Sequence, residues 1–414
     1  MNDKRGMTMV ELMVSLAIVL LIVATATTAY YKLLLSYKSN GSTSESYMSN
    51  LTGFELLRYD IEMAGFGLPT NLSAGVSYTE AASGHYDGDA NLPDPSTLND
   101  ATSGAPRAFV MIKNLNANNS DILAIKSTLA NLSATSKKWS MITEEPSELC
   151  PTAGVAKVKL WGVTGLDPVM DFTSGPPTDN FIVLDNYGTL QTTGGGTCAN
   201  HEPWCYSFNA SAGNLGYYSN ASNIVPGTFG PSSVYYIYGL DNSTGPHVMP
   251  FNRVDYFLGP TTNPSCAPNT WTLFRGAVNQ ADGTISPSVL VDCVEDFQVA
   301  FGVDPTGNGI VWQADLNQEN IPGGAGAGVA MTAAQIQQYL REVRVYTIYQ
   351  EGAGKISRSP QFKFLGTFSP GADIGLTLNN SWTPSGQDIY YHWKLTELDV
   401  KPMNLVNLPY DTWR

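Results

Sequence analysis

One stretch near the start limits every fold open to this 414-residue chain: KRGMTMVELMVSLAIVLLIVATATTAYYKLLL, residues 4–35. From Met7 to Ala29 it carries a single charged side chain, Glu11. As a helix this run would extend about 35 Å, enough for a hydrocarbon core of about 30 Å. Lys4 and Arg5 precede it, so its start should stay cytoplasmic. A cleavable secretory signal would explain the basic start, the apolar core and the Ala24-Thr25-Ala26 sequence. A plain uncleaved anchor would explain the length. Neither explains Glu11. A carboxylate within a membrane segment is unfavourable by a few kcal/mol, and no partner for it stands out in the neighbouring sequence.

A third reading supplies a partner. KRG followed by MTMVELMVSLAIVLL resembles the signal of type IV prepilins and pseudopilins. That resemblance implies cleavage by prepilin peptidase after Gly6, N-methylation of Met7, and a role for Glu11 as the assembly carboxylate. Glu11 would pair with the amino terminus of a neighbouring subunit, so that two charges in lipid neutralise each other and favour one register. Met7 stands where phenylalanine is more usual, and the helix lacks the proline common in major pilins.

Beyond the membrane the apolar residues Leu51, Phe54, Leu57, Ile61 and Ala64 follow 3-4-3 spacing, the pattern of a helix face packed on a core. Gly41 and Gly53 weaken such a helix by about 1 kcal/mol each relative to alanine. AGFGLP, residues 64–69, ends it with glycine and then proline. The resulting division is a leader over 1–6, an N-terminal helix over 7–66 that is transmembrane to about residue 29 and amphipathic after it, an insert over 67–250 and a C-terminal region over 251–414.

Residues 68–105 are rich in Gly, Pro, Ser, Asp and Asn and read as a long loop or ordered insert. Apolar, β-branched or aromatic runs then predict strands at 107–113, 121–127, 155–163, 180–185, 233–240, 254–259, 271–278, 288–304, 342–350, 361–368 and 391–400. A short helix is predicted at 332–340 with Thr332 as its cap. The fold class is α+β: a long N-terminal helix packed against an antiparallel, sheet-rich body with long loops.

Further stretches are similar to PilW-type minor pilins, which are related to the J-type pseudopilins of type II secretion. They are FELLRYDIEMAGFG (54–67), the strands from LFRGAV through VLVDCVEDFQVAFGVD to REVRVYTIYQ, and more loosely YHWKLTELDVKPMNL, where Met403 replaces an expected basic residue. The resemblance implies a minor pilin that primes pilus assembly or sits in the tip complex. Its expected partners are other minor pilins, the major pilin, prepilin peptidase and the inner-membrane assembly platform. It implies a single-pass inner-membrane precursor with a periplasmic body, later incorporated in the filament at or near the tip. Competing readings are a type II secretion pseudopilin, a tip adhesin using residues 68–250, and a secreted β-protein released after Ala26.

The net charge of −14 argues against nucleic-acid binding by the body as a whole. No GxSxG, HExxH, phosphate-binding loop or zinc-deaminase pattern is present, so no enzyme is expected. GGAGAG (323–328) lacks dinucleotide-loop spacing. No cofactor is expected. Asp304, Thr306 and Asn308 alternate before Gly309, which suits either the start of a calcium loop or a plain hairpin turn. The five cysteines fit disulfides in an oxidising compartment. Cys266 and Cys293 flank adjacent predicted strands and form one candidate pair. Cys198 and Cys205 form another, with a zinc site around His201 and Glu202 as the alternative. Cys150 is left over.

Overall fold

The computed structural model describes residues 8–86, 92–100, 102, 104–114, 117–143, 157–159, 161, 167, 169–172, 179–192, 203–207, 218–220, 234–243, 245–352, 365–379 and 381–405. A 54-residue helix, α1 (Met9–Glu62), leads the chain. Thr8 caps its start and Met63 its end. Gly65 and Gly67 then take positive φ angles of 79° and 64°, the left-handed conformation that stops a helix with little steric penalty.

The buried face of α1 consists of Asn50, Gly53, Phe54, Leu57, Asp60, Ile61 and Ala64. Leu51, predicted in the stripe, is 49% exposed. Asn50 and Asp60 were hidden from an apolar count because they are polar, so the true face lies slightly to one side of the predicted one.

That face lies on a large antiparallel sheet. In chain order its strands are β1 (Phe109–Ile112), β2 (Ile122–Ser127), β3 (Asn252–Pro260), β4 (Trp271–Val278), β5 (Ile285–Val303), β6 (Val311–Gln313), β7 (Leu340–Gln350) and β8 (Trp393–Val400). Across the sheet the order is β8-β7-β5-β4-β3-β2-β1, with β6 beside β5. The short helix α2 (Ala333–Tyr339) leads into β7 and is capped by Thr332, as expected. Alternation along β5 sends Phe297, Val299, Phe301 and Val303 toward the core that holds Phe54, Leu57 and Ile61. On β2, Leu123 and Ile125 join that core, while Ile122 and Ala124 face the opposite side. There the sheet is covered by Tyr86, Leu92 and Leu98 of the 68–105 segment. Both faces being buried explains the near-continuous apolar run at the start of β2.

A second sheet is built mostly from the predicted insert. Its order is 71–72, 189–190, 180–185, 235–241, 139–143, 157–159 and 218–220, with 206–207 also paired to 180–185. The pairing of 71–72 with 189–190 is parallel. Tyr235–Asp241, the aromatic run, is an inner strand that buries Ile237 and Leu240. Asn252 ties the sheets together: its Nδ2 donates to the Thr128 carbonyl at 2.7 Å and the Leu240 carbonyl at 2.9 Å.

β1 and β2 lie before residue 250 and pair with each other, and β2 also pairs with β3, which begins at Asn252. Of the predicted strand at 361–368, residues 361–364 lie outside the described residues, and Phe368 forms only an isolated bridge to Trp382.

Candidate functional site: the N-terminal helix and its anchor

At the start of α1, Glu11 folds back on the helix terminus. Its Oε2 accepts from the Thr8 backbone N–H at 2.9 Å and the Thr8 hydroxyl at 3.0 Å. Thr8 Oγ1 in turn accepts from the Glu11 N–H at 3.3 Å. This capping box satisfies terminal donors and places a negative group at the positive end of the helix dipole. It corrects one expectation: Glu11 does have a partner nearby in sequence. Gly6 and Met7 lie outside the described residues.

Over Met9–Tyr37 the helix is long and apolar enough to cross a membrane, and none of it is buried by the body. At 1.5 Å per residue this span is about 43 Å long, ample for a bilayer. Its hydroxyls are satisfied internally: Ser15 donates to the Leu12 carbonyl, Thr27 to Val23 and Thr28 to Ala24. That arrangement suits surroundings without water.

The far end of α1 is fixed to the sheet by a buried ion pair. Arg275 Nε on β4 donates to Asp60 Oδ2 at 2.7 Å, and the Tyr256 hydroxyl on β3 donates to the same oxygen at 2.6 Å. Arg275 also donates through Nη2 to the Ala130 carbonyl at 2.7 Å. Above it, Gly53 lies against β5 so closely that an added Cβ would sit 2.5 Å from the Leu290 carbonyl oxygen. At the exit of the helix, the Met403 N–H donates to the Glu62 carbonyl at 3.0 Å. Helix, sheet and the segment after β8 therefore meet at one junction. Sequence reasoning missed Asp60 and Arg275. The one available signal was an aspartate at a position that helical spacing places on the buried face.

Residues 1–27 match a family model described as the prokaryotic N-terminal methylation motif. Over these residues the N-terminus is similar to that of type IV prepilins. The match supports processing by prepilin peptidase, and with the bare apolar helix it fits membrane anchoring of a pilin. No curated protein and no solved structure matches the chain.

In the body of the chain, Cys266 and Cys293 form a disulfide. It ties the loop between β3 and β4 to a bulge in β5, where Cys293 takes φ +56°. Cys205 is also disulfide-bonded, while Cys198, its expected partner, and Cys150 lie outside the described residues. Asp304 lies in the turn between β5 and β6, and its Oδ1 accepts from the Gly307 N–H at 2.7 Å. That is the bonding of a hairpin turn, with Thr306 and Asn308 beside it in the same turn. Among the described residues, no group of three or more His, Cys, Asp or Glu side chains is placed to hold a metal. His247 is buried against Asp241, with Nε2 2.6 Å from Oδ1; burial raises the Asp241 carboxyl, but the His247 contact and the hydrogen bonds from Ser243 and Asn180 outweigh it and hold the group below its usual range. His85 meets the Leu92 carbonyl, His392 meets Glu351, and His201 lies outside the described residues.

Proposed function

We propose that this chain is a PilW-type minor pilin that acts in priming of type IV pilus assembly or in the tip complex, with no catalytic turnover of its own. One observation carries the reading: a wholly exposed apolar helix is joined through a buried ion pair to a body far larger than the helix. Such a body suits a position where neighbours do not surround it, and so the end of a filament rather than its shaft. The apolar helix enters the bundle, and Glu11 exchanges its contact with Thr8 for the methylated amino terminus of a neighbour. Partners on this reading are the other minor pilins, the major pilin, prepilin peptidase and the inner-membrane platform. The precursor spans the inner membrane once, with its body in the periplasm.

The deciding measurement is the mass of the N-terminal peptide from the membrane fraction. A start at Met7 carrying a methyl group is expected. A start at Thr27, or an intact Met1, would overturn the filament reading. A type II secretion pseudopilin would share this processing. Co-purification with a pilus shaft rather than with secretion components separates the two.

A further inference from the structure

A concentration of buried charge lies on the face of β2 opposite α1, between that strand and the 68–105 segment. Lys126 on β2 is 0% exposed in its side chain, Glu80 is 1% exposed and Asp100 6%. Lys126 Nζ lies 2.6 Å from Asp100 Oδ2 and 2.7 Å from Glu80 Oε2. The Phe251 ring closes one side, with its centroid 5.5 Å from Nζ.

We propose that Lys126 and Asp100 condense to an intramolecular isopeptide bond, with Glu80 carrying the proton between them. The amine and carboxyl are held in contact in a buried site, which removes most of the entropic barrier to a condensation that is slow between free groups. Asp100 is fixed from behind. Arg107 donates through Nε to Oδ1 at 2.6 Å and through its backbone N–H to Oδ2 at 2.8 Å. Those two donors face the oxygens that gain charge when nitrogen attacks. Glu80 is held as well: it accepts from the Asp100 N–H at 2.8 Å and from Arg253 Nη1 at 3.0 Å. Lysine suits the role because, unlike arginine, it loses its proton when a buried site provides an acceptor.

The starting ion pair is unreactive, since an amine must be neutral and a carboxyl protonated. The Lys126 ammonium therefore first gives one proton to Asp100. The free amine attacks Asp100 Cγ and a C–N bond forms. Glu80 takes a second proton from that nitrogen and returns it to the departing hydroxyl. The C–O bond breaks and one water leaves, so ammonium plus carboxylate becomes amide plus water with no redox change. A cavity of about 360 Å³, lined in part by Tyr78, Glu80, Asn99 and Asp100, gives that water a place to go. The balance of charge survives. Lys126, Arg107 and Arg253 face Glu80, Asp100 and Asp255, and the bond removes one of each sign. It also removes the desolvation penalty of one buried ion pair.

The test is a peptide map of the wild-type full chain, reduced and digested with trypsin. Arg107 and Lys113 lie between the two residues, so trypsin separates them unless they are bonded. The expected result is a branched peptide joining Asp100 to an uncleaved Lys126, lighter than the two parts by one water, with no peptide ending at a free Lys126. Recovery of both residues in separate peptides of full mass would overturn the proposal, and this reading needs no variant to fold. In Glu80→Gln the branched peptide should be lost. Its retention at the wild-type level would overturn the role given to Glu80.

Discussion

At the scale of single residues, the proposed function asks Glu11 to serve a monomer and an assembly in turn. In the isolated chain its carboxylate caps its own helix through Thr8. In a filament the same oxygens would face a neighbour's amino terminus. Two substitutions separate these roles. Glu11→Gln keeps an oxygen for the cap and loses the charge, whereas Glu11→Ala loses both. Both should insert in the membrane normally, and both should reduce incorporation into filaments by about tenfold or more, the effect of about 1.4 kcal/mol of lost pairing. Immunoblots of sheared filaments against membranes would measure it. Wild-type incorporation by Glu11→Gln would reduce Glu11 to a helix cap. The motif around Glu11 was legible in sequence because its residues are contiguous. Asp60 was not, because its partners Arg275 and Tyr256 are some two hundred positions away and nothing local marks an aspartate as buried.

At the scale of elements, the helix glycines read in sequence as simple weaknesses. Gly41 has open space around it, and that reading stands there. Gly53 is different, because α1 approaches β5 through the gap it leaves. Gly53→Ala should therefore destabilise the body by about 1–3 kcal/mol through overpacking, despite the gain of about 1 kcal/mol in helix propensity. Gly41→Ala serves as the control and should be neutral or stabilising. Thermal unfolding of both in detergent checks the sign. Equal or higher melting temperature for Gly53→Ala would mean that the strand gives way at little expense. Strands with strong local character, such as Trp271–Val278 and Leu340–Gln350, fell close to their predicted bounds. Short strands such as Trp139–Thr143 and Val311–Gln313 escaped notice, since three to five residues carry little periodicity and owe their conformation to the strand alongside. Sheet membership was equally hidden. β1 and β2 are local in sequence, but their place beside β3 rests on contacts across more than a hundred residues.

At the scale of the whole molecule, a group of carboxyls on the far side of β5 makes stability depend on pH. Burial pushes Asp121 up to about 7, with the Asp296 carboxylate adding to the shift and the Val299 and Asn114 N–H groups opposing it. Burial pushes Glu295 up to about 8, reinforced by Asp388 and Asp296. These groups bind protons more tightly folded than unfolded, so their contribution is complete below the ordinary carboxylate range and is lost as pH rises through the folded values. The melting temperature of the body should therefore fall between about pH 4 and about pH 8, and Glu295→Gln should flatten the upper part of that fall. A wild-type curve that is level or rising over that interval would contradict the assignment.

The junction at the base of α1 has a mechanical consequence. The chain leaves the helix at Glu62 and returns to it at Met403, whose N–H meets the Glu62 carbonyl. Tension applied along the helix would enter the body at this clamp and at the Asp60–Arg275 pair, and pass directly into β3, β4 and β5. The second sheet shares that exit: Phe66 meets Tyr238 edge-on and residues 71–72 form the sheet's edge strand, so a pull on the helix would load both sheets at once.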